Sequence, residues 1–256
     1  MATNNKVKLN SLLRSQPSGV VLASSWLVDQ GYSFELLKQY KKSRWFESIG
    51  SGALVRYEDQ VDYLGGVYAL QTQLGLSIHP AAKTALSLQG KAHYLEMSAD
   101  KAQLFVSLNE NVPLWFKKYD WGLALEITST SFLPADLGLV DVEHKSFSVK
   151  VSSPARAVME CLYSVPKSQP LLEVYEIMEG LNNLRPASVQ ALLEACKSVK
   201  VKRLFLYLAE KAGHDWFNYL DLKKVDLGSG KRSIVQGGTY VPKYQITVPK
   251  ELEVVS

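Results

Sequence analysis

Apolar residues recur at roughly helical spacing in two short runs near the start of the chain, one around residues 26 and 27 and one between residues 33 and 43. The apolar positions are Trp26, Leu27, Phe34, Leu36, Leu37 and Tyr40. The spacing predicts two packed helices, with Phe34, Leu37 and Tyr40 facing inward. Gly31 permits the positive φ of a tight turn between them, and the Ser33 hydroxyl is suited to cap the second helix.

Strand-like residues flank this helix pair. A short strand that starts near residue 20 precedes it, and residues 45–49 and 53–57 follow it, separated by the flexible triplet Gly50-Ser51-Gly52. Such a triplet suits the turn of a hairpin, and Arg56 is expected along the flank of that hairpin. Strand, helix, turn, helix and hairpin in this order predict a winged helix-turn-helix, which is a DNA-binding arrangement.

Inward packing of the apolar positions leaves a polar face on the second helix. Lys38, Lys41 and Lys42 are suited to phosphate contacts, and Gln39 is suited to reading adenine. From residue 31 to residue 56 there are five cations against two anions, a modest positive excess. The alternative is a subdomain whose lysines are only solvated, since most charged runs are surface features.

The pattern then predicts a helix over 59–74, a helix beginning at Pro80 and ending near 88, strands, and finally more helices. The predicted strands are 92–97, 103–107, 123–128, 137–142 and 147–151, in one sheet, and the later helices cover 154–163, 171–181, 189–196 and 201–208. The change of period predicts an α+β protein with two domains. Residues 1–95 would form the winged helix-turn-helix domain, and residues 96–256 a larger mixed α/β domain with a central sheet plus helices.

Composition sets limits on this organisation. The chain has 256 residues, 46% of them hydrophobic, and a net charge of +4, which suits two globular cores. The sequence shows neither a membrane-spanning apolar stretch nor a signal peptide, so we expect a cytoplasmic protein. Cys161 and Cys196 lie among apolar residues and are expected to be reduced core thiols. Histidines are scattered, so no metal and no cofactor are predicted.

Two motifs raise the question of catalysis. Gly228-Ser229-Gly230-Lys231 resembles the end of a phosphate loop but lacks its other required positions. Asp136, Glu143 and Lys145 suggest the metal site of a Mg²⁺-dependent nuclease of the restriction type, although their spacing is short for it. The leading expectation is that the protein is not an enzyme, and the alternative is a restriction-type nuclease with a DNA-binding N-terminal domain.

Several stretches taken together resemble AbiEi-type antitoxins, which are transcriptional regulators of type IV toxin–antitoxin systems. These stretches are residues 36–40, 45, 78–86, 89–90, 93–95, 153–157, 184–186, 200–205 and 227–232. The resemblance implies an N-terminal winged helix that represses its own operon by binding inverted repeats. It also implies a C-terminal domain that counteracts a nucleotidyltransferase-like toxin indirectly, without a stable complex.

The resemblance also implies roles for particular residues. The DNA-contacting set is Ser33, Lys38, Gln39, Lys41, Lys42, Arg44 and Arg56. In the C-terminal domain we expect an exposed cationic surface formed by Arg156, Lys202, Arg203, Lys231 and Arg232, acting on RNA, nucleotide or protein, with solubility as the alternative role. The expected partner is double-stranded operator DNA, bound by a chain that is monomeric in solution and pairs on DNA.

Overall fold

The computed structural model of the protein describes residues 2–90 and 100–254. Up to residue 90 the elements are α1 (Ala2–Ser15), β1 (Leu22–Ala23), α2 (Ser24–Asp29), α3 (Phe34–Lys42), β2 (Phe46–Gly50), β3 (Ala53–Arg56), α4 (Tyr63–Thr72), β4 (His79–Pro80) and α5 (Ala82–Leu88). The two helices, the hairpin and the helix after it are therefore present where the pattern predicts them.

The second part of the chain also combines strands and helices. It contains β5 (Lys101–Ser107), α6 (Leu114–Lys118), β6 (Ala124–Thr130), β7 (Leu139–His144), β8 (Phe147–Ser152), α7 (Pro154–Ser164), α8 (Leu171–Glu179), α9 (Pro186–Ala195), α10 (Val199–Lys211), 3-10 helices at Asp215–Tyr219 and Leu222–Lys224, β9 (Arg232–Ser233), β10 (Thr239–Val241), β11 (Ile246–Val248) and α11 (Glu251–Val254). The α+β class is confirmed. None of the described helices is long and apolar enough to cross a membrane.

The N-terminal sheet has the order β1-β3-β2, and α2 contacts β1 while α3 and α6 contact β2. Leu22 pairs with Leu54 and Ala23 with Ala53, so β3 is the central strand. Within α4, the adjacent glycines are required by close packing: a Cβ on Gly65 would lie 2.1 Å from the Gly19 carbonyl oxygen. A Cβ on Gly66 would lie 2.8 Å from the Phe116 ring. These contacts offset the low helix propensity of glycine.

The middle of the chain differs from the prediction in two ways. The strands among its described residues form two sheets rather than one, a three-stranded sheet of order β4-β5-β6 and a separate β7-β8 hairpin. Pro80 does not begin a helix, because it lies in β4 and pairs with Leu104, and α5 begins at Ala82. An edge strand accommodates a proline, which has no N–H to donate. The strand predicted over 92–97 lies outside the described residues.

Four helices, α7 to α10, form the apolar centre of the second part. Leu204, Phe205 and Leu208 of α10 are fully buried, as is Cys161 of α7. Cys196 is 2% exposed, and both cysteines are free thiols, as expected. Burial raises the pKa of each thiol, which keeps both protonated and unreactive.

Packing continues across the predicted boundary between residues 95 and 96, a position outside the described residues. β4 precedes it and pairs with β5, which follows it, and α5 packs on α7. Buried apolar side chains from both parts join in one cluster. The N-terminal helices and hairpin are thus held against the rest of the chain.

Candidate nucleic-acid interface

Local signals in the sequence set the position of α3. Gly31 adopts a φ of +87° in the turn after α2. The Ser33 hydroxyl accepts a hydrogen bond from the Leu36 amide at 3.2 Å and so caps the helix, as predicted. Leu36, Leu37 and Tyr40 are buried, and the Tyr40 ring packs on Phe46 of β2. These contacts fix the rotation of α3 about its axis.

The outward face of α3 carries amines and an amide. Lys38, Gln39, Lys41 and Lys42 are all exposed. Within the described part of the chain, none of the three lysines belongs to an ion pair. Their charges are therefore available to a polyanion, and the neighbouring anion on this helix, Glu35, lies in its first turn.

Aromatic side chains lie beside the end of α3. Arg44, the second residue after the helix, has a φ of +54°, and its guanidinium lies over the Tyr57 ring at 5.9 Å from the centroid. Trp45 is 49% exposed and Tyr57 is 40% exposed. Arg44 is itself exposed, so its charge extends the cationic face of α3 towards the hairpin.

Phe34 contradicts the predicted inward orientation. Its side chain is 65% exposed at the first residue of α3. At about 100° of rotation per residue, position 34 lies about 60° from position 37 but about 160° from position 36 and about 120° from position 40. A face centred on positions 36, 37 and 40 therefore turns position 34 outward. The inward face is defined by Leu36, Leu37 and Tyr40, which leaves Phe34 among the exposed lysines.

Arg56 is less available than the sequence suggested. Its Nη2 donates to the Leu13 carbonyl at 2.8 Å and to the Gln16 carbonyl, which together close the C-terminal end of α1. A guanidinium at this end also interacts favourably with the helix dipole. Arg56 therefore has a structural role that the sequence pattern did not indicate.

The hairpin turn is packed against α6. A Cβ added to Gly50 would lie 2.9 Å from Trp115 Cβ, and the Gly52 carbonyl accepts a hydrogen bond from the Ser24 amide at 2.9 Å. The turn contains no cation, and α6 covers one side of it. The positive charge beside this turn is therefore supplied by exposed side chains outside it, on α3 and at Arg44.

The prediction of an exposed cationic surface in the second part of the chain is wrong for three of its five residues. Arg156, Lys202 and Arg203 are 4%, 5% and 2% exposed. The Arg203 guanidinium donates to the carbonyls of Leu227, Gly228, Gly230 and Gln245. It holds together the loop that leads into β9, so its charge serves folding rather than a surface.

Lys231 and Arg232 remain exposed, as expected. The Lys231 amine lies 5.0 Å from the centroid of the Tyr240 ring, which is 38% exposed. A cation beside an aromatic ring at the surface is a modest stabilising pair. The exposed cationic surface of this region is therefore smaller than the sequence predicted.

Arg156 belongs to a buried network around Glu160, which the sequence analysis did not identify. Glu160 Oε1 accepts from Arg156 Nε at 2.9 Å and lies 3.2 Å from His79 Nε2. Its Oε2 accepts from the Ser152 hydroxyl at 2.7 Å and from the Ala82 amide at 3.0 Å. Burial by itself would raise the pKa of Glu160, but these partners outweigh it and leave the pKa below its usual value.

The nuclease alternative gains no support from the geometry. Lys145 Nζ donates to Asp62 Oδ2 at 2.7 Å, and His144 Nε2 lies 2.8 Å from the same oxygen. Asp62 caps α4, so Lys145 fastens the β7-β8 hairpin to the N-terminal part. In residues 2–90 and 100–254, no three His, Cys, Asp or Glu side chains are grouped so that they could hold a metal ion.

Comparison with known proteins adds two kinds of finding. A family model described as the N-terminal domain of the AbiEi antitoxin transcriptional regulator matches residues 5–97, and a second, described as the AbiEi antitoxin of type IV toxin–antitoxin systems, matches residues 99–249. The crystal structure of the RV2827C protein from Mycobacterium tuberculosis has a similar fold, with a TM-score of 0.60 and 14% identity over 94% of this chain and 89% of that one. A search of curated proteins gave no match.

Proposed function

This chain belongs to the AbiEi antitoxin family of transcriptional regulators from type IV toxin–antitoxin systems, and on that premise we propose that it represses its own operon by binding inverted repeats through α3. The observation that carries the proposal is the set of exposed amines of Lys38, Lys41 and Lys42 on one short helix, none of them in an ion pair with a residue that the structure describes. Helix α3 follows α2 after a tight turn, as the recognition helix of a winged helix-turn-helix does.

The contacts of this helix divide into two kinds. Lys38, Lys41, Lys42 and Arg44 neutralise phosphates, which positions the protein without reading sequence. Gln39 can pair its amide with adenine in the major groove and so contributes sequence preference. Ser33 fixes the start of the helix, and Arg56 acts mainly by holding α1 in place.

A single module with this limited positive charge binds DNA weakly and with strong dependence on salt. Tight repression therefore requires two copies on neighbouring half-sites of an inverted repeat, spaced by whole helical turns. We propose a chain that is monomeric in solution and pairs on its operator, with the second part of each chain available for contact between copies.

The second part of the chain is proposed to counteract a nucleotidyltransferase-like toxin indirectly. The family assignment supports this role. Of the five cations predicted to form an exposed surface in this part, Lys231 and Arg232 are the two that are exposed. Co-expression with the toxin tests it: the chain should restore growth, while gel filtration of the mixed proteins should show separate peaks. Co-elution, or failure to restore growth, would contradict this part of the proposal.

Binding of the full chain to its own promoter tests the DNA-binding role. Fluorescence anisotropy should give tighter binding to a duplex carrying the inverted repeats than to a scrambled duplex of equal length. The Lys38→Ala, Lys41→Ala double variant should weaken binding to both duplexes. Equal affinity of the unaltered protein for the two duplexes would contradict operator recognition. A Mg²⁺-dependent cleavage assay on the same duplexes would favour the nuclease alternative if products appear.

A further inference from the structure

Phe34 is a large apolar side chain on the cationic face of α3. It is 65% exposed, whereas the other apolar residues of the helix are buried. An exposed phenyl ring gains little from folding, since the hydrophobic contribution scales with the area removed from water. The structure therefore leaves the ring without a role in the core of the described chain.

The surroundings of the ring indicate what it contacts. Lys38 lies one turn further along the helix, rotated by about 40° from Phe34, and Lys41 lies two turns along, rotated by about 20°. Both lysines are exposed. An apolar ring in line with two free amines matches a surface that offers apolar groups beside phosphates.

Duplex DNA offers such a surface in its major groove. Thymine carries a C5-methyl group at the groove edge, and apolar side chains that include Phe discriminate it from the other bases. The first residues of a recognition helix are those that reach base edges. Because Phe34 is the first residue of α3, its ring is placed at the end of the helix that enters the groove.

We propose that Phe34 contacts the C5-methyl groups of thymines in the bound half-site and is a specificity-determining residue of this protein. The inference rests on the proposed binding of operator DNA through α3. It assigns Phe34 to direct recognition of bases, with the lysines of the same face acting on phosphates.

Replacement of thymine by deoxyuridine tests this contact, because it removes the methyl group and leaves base pairing intact. Binding of the full chain is measured by fluorescence anisotropy on the promoter duplex and on the same duplex with deoxyuridine throughout the inverted repeats. The unaltered protein should lose affinity by about fourfold for each contacted methyl group. Phe34→Ala should bind the thymine duplex more weakly and show no further loss on the deoxyuridine duplex.

Two variants serve as controls. Phe34→Leu keeps an apolar side chain and should retain part of the preference for thymine. Tyr219→Ala removes an aromatic ring that lies outside α3 and is 77% exposed. This variant should lose as much affinity on the deoxyuridine duplex as the unaltered protein does. Thermal unfolding of Phe34→Ala should match that of the unaltered protein, since the ring is not in the core.

Each contrary outcome has a separate meaning. Equal binding of the unaltered protein to both duplexes overturns the role of Phe34 and leaves operator binding intact. A deoxyuridine loss that persists in Phe34→Ala assigns the methyl contact to another residue. Failure of the unaltered protein to bind the promoter overturns the proposed function itself.

Discussion

Trp115 packs directly over Gly50: a Cβ added to that glycine would lie 2.9 Å from Trp115 Cβ. Gly50 belongs to the hairpin after α3, and Trp115 belongs to α6 in the second part of the chain. The contact holds the hairpin in place relative to α6. The position of α3 is therefore tied through β2 to the larger part of the protein.

Substitution of Gly50 by alanine should destabilise the protein. Its φ of +149° disfavours any side chain, and the new methyl group would overlap Trp115. Overpacking of this kind costs about 1–3 kcal/mol beyond the backbone strain. Urea unfolding measures the loss. Gly122→Ala is the matched control, because Gly122 has a φ of +71° and nothing within 4 Å of an added Cβ. Equal losses in the two variants would show that Trp115 contributes nothing.

Removal of one lysine from α3 should reduce the salt dependence of DNA binding. Each lost phosphate contact lowers the slope of log K against log salt by about one unit. Lys38→Ala and Lys42→Ala should show this on operator and random DNA alike. Lys250→Ala removes an equal charge from an exposed position outside α3 and should leave the slope unchanged. An identical change for Lys250 would assign the effect to net charge alone.

Gln39→Ala should alter the choice of base rather than overall affinity. The amide of glutamine pairs with adenine at two positions, and such a contact contributes about 1–3 kcal/mol of discrimination. Binding is compared on a set of duplexes in which each A·T pair of the half-site is changed in turn. For the unaltered protein, changing the A·T pair that Gln39 contacts should reduce the affinity. In the Gln39→Ala variant, changing that same pair should cause no such reduction. A uniform loss across all duplexes would contradict base recognition by Gln39.

Arg56→Ala should weaken folding and leave the salt slope of DNA binding unchanged. Its guanidinium bonds to the Leu13 and Gln16 carbonyls, and hydrogen bonds from charged groups contribute about 1.5–3 kcal/mol. Urea unfolding reports the loss of stability, and anisotropy over a range of salt concentrations reports the slope. A slope lowered by one unit would instead show that Arg56 contacts a phosphate, as the sequence analysis predicts.

Glu160 should make stability depend on pH in the acid range. Burial raises its pKa, but His79, Arg156 and the Ala82 amide together lower the pKa by more than burial raises it, so the folded pKa lies below the unfolded one. The stabilisation is then complete above the ordinary pKa of glutamate, about 4, and is lost as the pH falls through the pKa of Glu160 in the folded protein. Unfolding by urea at a series of pH values measures this dependence.

Glu160→Gln should flatten that pH dependence and cost about 3–5 kcal/mol at neutral pH, since Arg156 would remain buried without its anion. Glu47→Gln, at an exposed position, serves as the control and should keep the original pH profile. A Glu160→Gln protein with unchanged acid sensitivity would show that other carboxylates govern it.

Local pattern determined much of the fold. The helices α2 and α3, the hairpin β2-β3 and the helices α7 to α10 lie where periodicity and turn residues predict them, because each signal acts within a few residues. Ser33 as a cap and Gly31 in its turn are of this kind. The resemblance to AbiEi-type antitoxins, which rests on short stretches of sequence, is likewise confirmed by family models that match nearly the whole chain.

Tertiary packing decided which side chains are free. Arg156 and Arg203 look like surface cations in the sequence, but carbonyls and a carboxylate from distant segments surround them and satisfy their charges. Phe34 looks like a core residue, but the rotation of α3 set by Leu36, Leu37 and Tyr40 exposes it. Exposure depends on contacts between segments far apart in the chain, and no local pattern specifies those contacts.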